Sequence, residues 1–545
     1  MARLLVPALA LVVAGCDAAP PSAPGAPLAD SGPSPPAAAA DGGTFRYSME
    51  EPRTIVPGDV VDASGLTIVD VVFDSLTARR PDGQIGPGAA SGWEASETAS
   101  TWTFHLRAGA TFHTGEQVRA GDFVFAWTRA VRAGAAGYHL RDVLGYDELR
   151  DGTAATLAGA WAPDDDTLVV RLARPDAEFP AVVSHPALGP LPQERYRADP
   201  QGFAERPSGN GPFRLFEPWA RDQFIRVERY DAWRGGAGSV PLAMVEFRFE
   251  DADTAYVAFQ QERRDFAPLP PGALEEARGR YDVLDGPSAQ LYFLGVNLRA
   301  PPFDRVETRR ALSLAIDRNA LPAILREGNV TPARSAVPPG VEGARPRPCA
   351  ACVHDPDEAR RLFAEAGVTD LDLWITPGGG HEEVARVLGE QLAAVGVTVR
   401  TRMPGAPSEP GGLDRYLAAL RSGEASLFRF GWALDHPTLG DALTPLFAGG
   451  LADAEGAANY GGYAQADVDA LLNQARSMLD PEERRALYHQ VEDLALNRDQ
   501  AIVPVMTLRH AAVVSDRVEG LVLDPLGGVN LHEARLVDES ATEAG

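Results

Sequence analysis

Trp102-Thr103-Phe104-His105-Leu106-Arg107-Ala108-Gly109, then Phe112-His113-Thr114-Gly115-Glu116 and Asp122-Phe123-Val124-Phe125-Ala126-Trp127, sets the texture of the chain. Trp102, Phe104 and Leu106 alternate with polar residues, as in a half-buried strand. Over 120–132 the period changes. Phe123, Phe125, Trp127 and Val131 take helical spacing, with Asp122 near the start, where an acidic side chain suits a helix. Leu168-Val169-Val170-Arg171-Leu172 is a second alternating run. Strand, helix and strand in close succession predict an α/β fold.

Further along, Gly209-Asn210-Gly211-Pro212 punctuates the chain, and 213–216 with 224–227 predict a hairpin. Helical units are then predicted at 308–325, 356–366, 382–395, 465–479 and 481–497, with strands at 371–375 and 397–402. The end of the chain returns to short apolar runs at 501–505, 511–514 and 520–523. Strand-rich, then helix-and-strand, then strand-rich again implies a first domain completed by the C-terminus. No internal repeat of fixed period is present.

The 545 residues are 45% hydrophobic and 23% charged, ordinary globular composition with room for two to four compact units. Acidic residues outnumber basic ones 76 to 50, and the formal charge of −26 argues against a nucleic-acid partner. There is no lysine, which excludes Schiff-base lysine chemistry and a P-loop lysine.

Residues 1–15 combine Arg3, an apolar run from Leu4 to Val13 and small residues before Cys16, the layout of a secretory signal peptide. The run is too short to span a bilayer. Val13-Ala14-Gly15-Cys16 resembles the lipobox of bacterial lipoproteins, which implies cleavage before Cys16, lipidation of its thiol and anchoring to a membrane. Residues 16–43 are mostly Ala, Pro, Gly, Ser and Asp, a composition that buries no core and predicts an extended tether. Cys349 and Cys352 stand in Arg-Pro-Cys-Ala-Ala-Cys-Val. For an exported chain a small local disulfide is expected, with free thiols or redox chemistry as the alternatives; no second ligand pair for a zinc site is visible.

Zincin, nucleophile-elbow, Walker A, Rossmann and EF-hand motifs are all missing from the sequence. His381-Glu382-Glu383 lacks a second histidine at helical spacing, and Asp164-Asp165-Asp166 reads as a solvated turn before a strand. No catalytic residue, metal site or cofactor is expected.

Phe73-Asp74-Ser75-Leu76, Pro81-Asp82-Gly83, Trp93-Glu94 and the opening stretch resemble, in this order and spacing, the extracellular solute-binding proteins of peptide ABC importers. So do Asn210-Gly211-Pro212-Phe213-Arg214-Leu215, Val227-Glu228-Arg229-Tyr230, Asn297 and Pro302-Phe303-Asp304. Arg309-Arg310-Ala311-Leu312-Ser313-Leu314-Ala315-Ile316-Asp317-Arg318, Gly431-Trp432-Ala433-Leu434-Asp435, Ala501-Ile502-Val503-Pro504-Val505 and Asp524-Pro525-Leu526-Gly527-Gly528-Val529 continue the match, which spans about residues 44–536. The resemblance implies a two-lobed clam of the type II periplasmic binding protein kind with an extra domain. Domain I would comprise 44–72, 207–289 and 505–545, domain II 73–206 and domain III 290–504. Two chain crossings, at 288–290 and 501–505, would form the hinge.

It also implies a function: a non-enzymatic, monomeric lipoprotein of the periplasm or outer cell envelope that passes oligopeptides to the membrane subunits of an ABC permease. The same fold binding a metal chelate, haem or an opine is the alternative, and a periplasmic peptidase a more distant one. By resemblance Asp435 would hold the ligand ammonium, Gly431 to Ala433 would run beside the peptide, and Trp432 would form an apolar wall. Arg429 and His381 would face the ligand carboxylate or its later residues. Leu434-Asp435-His436 stands where the family often has Ala-Asp-Tyr, and Gly378-Gly379-Gly380 and the cysteine loop depart from its pattern.

Overall fold

The computed structural model describes residues 43–537, apart from 81–82, 134, 235, 237–238, 326–328, 377–379, 406–410 and 452–456. The expected signal peptide, Cys16, all of the expected tether but Gly43, Pro81-Asp82 and Gly378-Gly379 lie outside the described residues.

An eleven-stranded sheet runs through the molecule. In chain order its strands are β1 (Thr44–Met49), β2 (Phe213–Leu215), β3 (Phe224–Arg229), β4 (Met244–Phe249), β5 (Phe266–Pro268), β6 (Asp282–Val296), β7 (Val330–Pro332), β8 (Asp370–Trp374), β9 (Thr398–Arg402), β10 (Leu427–Ala433) and β11 (Ile502–Val514). Their spatial order is β9-β8-β10-β6-β11-β5-β1-β4-β3-β2, with β7 paired to β11. β1 lies parallel to β4 and β5, and β8 parallel to β9 and β10; the other pairings are antiparallel.

The stretch from Trp102 forms the strand Thr101–Leu106, central in a separate four-stranded sheet, and the helix Ala120–Ala133. Trp102, Phe104 and Leu106 are buried, as are Phe123, Trp127 and Val131 on one helix face. The Gly-Asn-Gly-Pro punctuation is where the chain leaves this sheet, beside the segment by which it entered. Asn210 accepts from the Asp74 N–H at 2.9 Å and donates to the Asp74 carbonyl at 3.1 Å. A Cβ on Gly209 or Gly211 would lie 1.9 or 2.6 Å from the Val72 backbone, so the close passage requires glycine at both.

Buried clusters divide the chain into two lobes. One core runs from Phe45 through Phe266 and returns at Ala512–Ala534, and it contains residues of both expected domains I and II. Two others lie wholly within 289–506. Among the described residues no cluster of buried residues has members in both groups, and only the strands β6 and β11 are shared. This is the two-lobed α/β fold with a two-stranded hinge.

At the first crossing the pairing breaks between Pro287, opposite Arg509, and Leu291, opposite Thr507. The second crossing lies later than 501–505. Ile502 and Val503 are already paired with Gly295 and Leu294 in the second lobe, and β11 changes neighbours between Leu508, opposite Val330 of β7, and Ala512, opposite Pro268 of β5. The runs at 501–505 and 511–514 are therefore one strand. The expected helix 308–325 is two, Val306–Ala315 and Leu321–Leu325, because the buried Arg318 turns back to donate to the carbonyls of Ser313 at 3.0 Å and Pro504 at 2.7 Å. Cys349 and Cys352 are disulfide-bonded and buried. No helix among the described residues is long and apolar enough to cross a membrane.

Candidate functional site

Asp435 follows the end of β10, and the strand explains how it is presented. The Leu434 N–H donates to Ala289 at 2.9 Å and the Asn297 N–H to Ser426 at 2.9 Å, bracketing the antiparallel β6–β10 ladder. Since such pairs alternate, Phe428, Phe430 and Trp432 exchange hydrogen bonds with β6, and Arg429, Gly431 and Ala433 turn their backbone groups to the opposite edge. β8 covers that edge only at Leu427 and Phe428. The Arg429 carbonyl accepts from the Tyr416 hydroxyl at 2.6 Å. Among the described residues no strand covers Gly431 or Ala433 on this side. A donor and an acceptor on each, half-buried, make a short open edge.

One end of the edge carries positive charge. Arg429 is buried, stacks 4.4 Å from the Tyr292 ring centroid and donates to His381 Nδ1. His381 opens helix α1 (His381–Ala394). Burial and then the Arg429 guanidinium push its pKa down to about 3, so the imidazole is neutral at pH 7 and can accept. A Cβ on Gly431 would lie 2.8 Å from the Tyr292 ring, so glycine admits the ring on which Arg429 rests.

The other end is acidic. Asp435 is half-buried and accepts from the Tyr138 hydroxyl at 3.0 Å. Its turn is fixed by Asp441 in the first turn of helix α2 (Leu439–Phe447), whose Oδ2 accepts from the N–H groups of Asp435 at 2.7 Å and His436 at 3.0 Å. Burial, then the Asp435 charge, raises the Asp441 pKa, while the Arg141 cation opposes this. Trp432 is half-buried with its Nε1–H donated to the Asp441 carbonyl at 3.0 Å, so it ties the edge strand to α2. Behind Tyr138, the His139 ring lies 4.1 Å away and the His185 ring 4.0 Å beyond, with His436 5.3 Å from His139. Burial drives all three imidazoles below their ordinary pKa, so they are neutral. No group of three His, Cys, Asp or Glu side chains among the described residues could hold a metal ion.

The structure thus brings Arg429 and His381 together, sets Gly431, Trp432 and Ala433 between them and Asp435, and adds residues that sequence reasoning missed. Tyr138, Arg141 and Asp441 reach Asp435 from a 3-10 turn, the residue after it and the first turn of a helix. No periodicity or motif marks them.

Residues 84–453 match the family described as bacterial extracellular solute-binding proteins, family 5. A dipeptide-binding protein of Bacillus subtilis is 28% identical over 485 residues, covering 84% of this chain and 86% of its own. A heme-binding protein of Haemophilus influenzae is 27% identical over 512 residues, with 87% and 88% covered. Among solved structures, a periplasmic murein tripeptide binding protein in its unliganded open form superposes with a TM-score of 0.81 at 21% identity, over 92% of this chain and 99% of that one. With its two lobes, two-strand hinge and matched residues, the chain belongs to the family 5 bacterial extracellular solute-binding proteins.

Proposed function

We propose that this chain captures short peptides between its lobes and delivers them to an ABC import permease, tethered to a membrane through a lipidated Cys16. The observation that carries the reading is the open edge of β10 between Asp435 and the Arg429–His381 pair. A peptide laid along it gains main-chain hydrogen bonds from Gly431 and Ala433 whatever its side chains. Its ammonium meets Asp435 and its carboxylate meets Arg429, with the neutral His381 beside it. Arg429 to Asp435 spans about 20 Å of extended chain, which suits about four or five residues once about 3 Å of hydrogen-bond reach is allowed at each end. Capture proceeds by hinge closure, with the second lobe rotating about β6 and β11 and the closed state selected by contacts to the ligand. The discontinuous domain I, domain II and domain III of the resemblance are proposed as the units around this hinge, and the protein acts as a monomer without turnover.

Native mass spectrometry of the chain purified without refolding tests this. Adducts that denature into short peptides are expected. A single non-peptide mass transfers the site to the second reading, a haem-like or other non-peptide solute. That reading is favoured by the three neutral imidazoles beside Asp435 and by Arg141, which already sets a cation near that carboxylate.

A further inference from the structure

Residues 138–185 of the first lobe meet 435–488 of the second along a polar seam, which continues beyond the open edge of β10. Pro175-Asp176-Ala177-Glu178 forms a finger laid against three helices of the second lobe: α2, α3 (Ala466–Ser477) and α4 (Pro481–Asp493). Arg476 of α3 grips its base. The Arg476 Nε–H donates to the Pro175 carbonyl at 3.1 Å, the Arg476 carbonyl accepts from the Ala177 N–H at 2.7 Å, and Nη2 donates to Asp142 at 2.6 Å.

The tip is Glu178. Its Oε2 accepts from the Gly440 N–H at 3.0 Å and from the Tyr488 hydroxyl at 3.4 Å, and its Oε1 lies 3.9 Å from Arg484 of α4. Gly440 is in the first turn of α2, where backbone N–H groups lack partners in the helix and the dipole favours an anion. The helix's own cap, Thr438, accepts from Asp441, so the carboxylate at Gly440 comes from the other lobe. A Cβ on Gly440 would stand 2.1 Å from Glu178 Oε2 and 2.6 Å from the Tyr488 hydroxyl. Glycine there costs helix propensity and in return lets the carboxylate in.

We propose that Glu178 is the latch of the clam: by capping α2 across the seam it sets the balance between closed and open lobes, and so the residence time of a ligand it does not touch. Glu178 is thus a positioning residue, coupled to binding only through closure. The ligand part of this inference rests on the solute-capture reading above; the closure part does not.

The test uses the full chain, freed of bound solute by unfolding and refolding, with Glu178→Ala, Glu178→Gln, Gly440→Ala and the double variant Glu178→Ala/Gly440→Ala. Two ligand-free readouts are taken: hydrogen exchange at the amide of position 440 and the radius of gyration from small-angle scattering. At pH 8, where the Glu178 carboxyl is ionised, Glu178→Ala should speed exchange by about ten- to hundred-fold, as for losing a hydrogen bond to a charged group, and enlarge the radius. Glu178→Gln, which keeps an acceptor, should restore both values. Gly440→Ala should mimic Glu178→Ala without adding to it in the double variant. With tetra-alanine as probe, Glu178→Ala should raise the dissociation rate and leave association unchanged. Unchanged exchange and radius in both Glu178→Ala and Gly440→Ala would overturn the latch, as would a fall in melting temperature alone. Failure of the unaltered chain to bind tetra-alanine would count against the peptide reading only, because the ligand-free readouts decide the latch.

Discussion

The hydroxyl of Tyr138 donates to Asp435 Oδ1 at 3.0 Å, and the two residues belong to different lobes. The carboxylate proposed to bind the ammonium therefore also binds the opposite wall. Asp435→Asn should weaken tetra-alanine by about 30-fold to several thousand-fold, the usual cost of breaking a desolvated charge pair. Tyr138→Phe should cost less, about 1.5–3 kcal/mol, the range for a hydrogen bond to a charged acceptor. Titration calorimetry on both variants checks this, and N-acetylated tetra-alanine should bind the unaltered chain as poorly as tetra-alanine binds Asp435→Asn. Unchanged affinity in Asp435→Asn would remove the peptide assignment.

At the other end of the edge, Arg429 is held by Tyr292 and His381. Arg429→Ala should weaken tetra-alanine strongly and its C-terminal amide little. A double-mutant-style cycle over side chain and ligand terminus should return a coupling of at least about 1.5 kcal/mol. Equal losses for both ligands would place the carboxylate elsewhere.

The imidazole stack makes stability depend on pH. Burial, then the Arg141 charge, lowers the His139 pKa to about 3, whereas an unfolded histidine titrates near 6.5. Between these values the unfolded chain holds a proton that the native chain does not. His139 therefore stabilises fully above pH 6.5 and loses about 1.4 kcal/mol per pH unit below it. Glu178, raised to about 7 by burial and Asp176, acts in the opposite sense, adding stability as pH falls from 7 towards 4.5. His139→Phe should flatten the fall in urea-unfolding stability between pH 6.5 and 5. A slope identical to that of the unaltered chain would show that His139 does not carry it.

Arg318 is 2% exposed, and burial lowers its pKa to about 9. Its guanidinium serves the carbonyls of Ser313, Ile316 and Pro504 and the Ser313 hydroxyl. Arg318→Leu leaves these acceptors without a donor beside a hinge strand, at a cost of about 3–5 kcal/mol. Calorimetry should show a lower melting temperature. A change below about 1 kcal/mol would mean that the carbonyls find other donors.

Elements whose pattern is set by near neighbours were legible in the sequence. The strand from Thr101, the helix from Ala120 and the helix Pro356–Ala366 follow their apolar periods because each buries one face. Misreadings came where a distant partner decided. The helix from Val306 stops early because Arg318 finds an acceptor on β11, and β11 looks like two runs because its polar middle, Thr507 to His510, is the crossing between lobes. In the site, Asp435, Arg429 and His381 were reachable only through family resemblance. Tyr138, Asp441 and Glu178 were not reachable at all, since their roles depend on the far lobe or on a helix cap.

β11 is the last long strand made, yet it lies in the middle of the sheet, with β6 on one side and β5 on the other. A chain emerging from its N-terminus therefore has the edges of β5 and β6 but not the strand that joins them, and the first lobe also awaits Val529, Leu531 and Ala534 for its core. Native structure is withheld until synthesis is nearly complete, because the pairings that finish it are the most distant in sequence. Until β11 arrives such a chain stays loose, with the edges of β5 and β6 exposed to pairing with other chains.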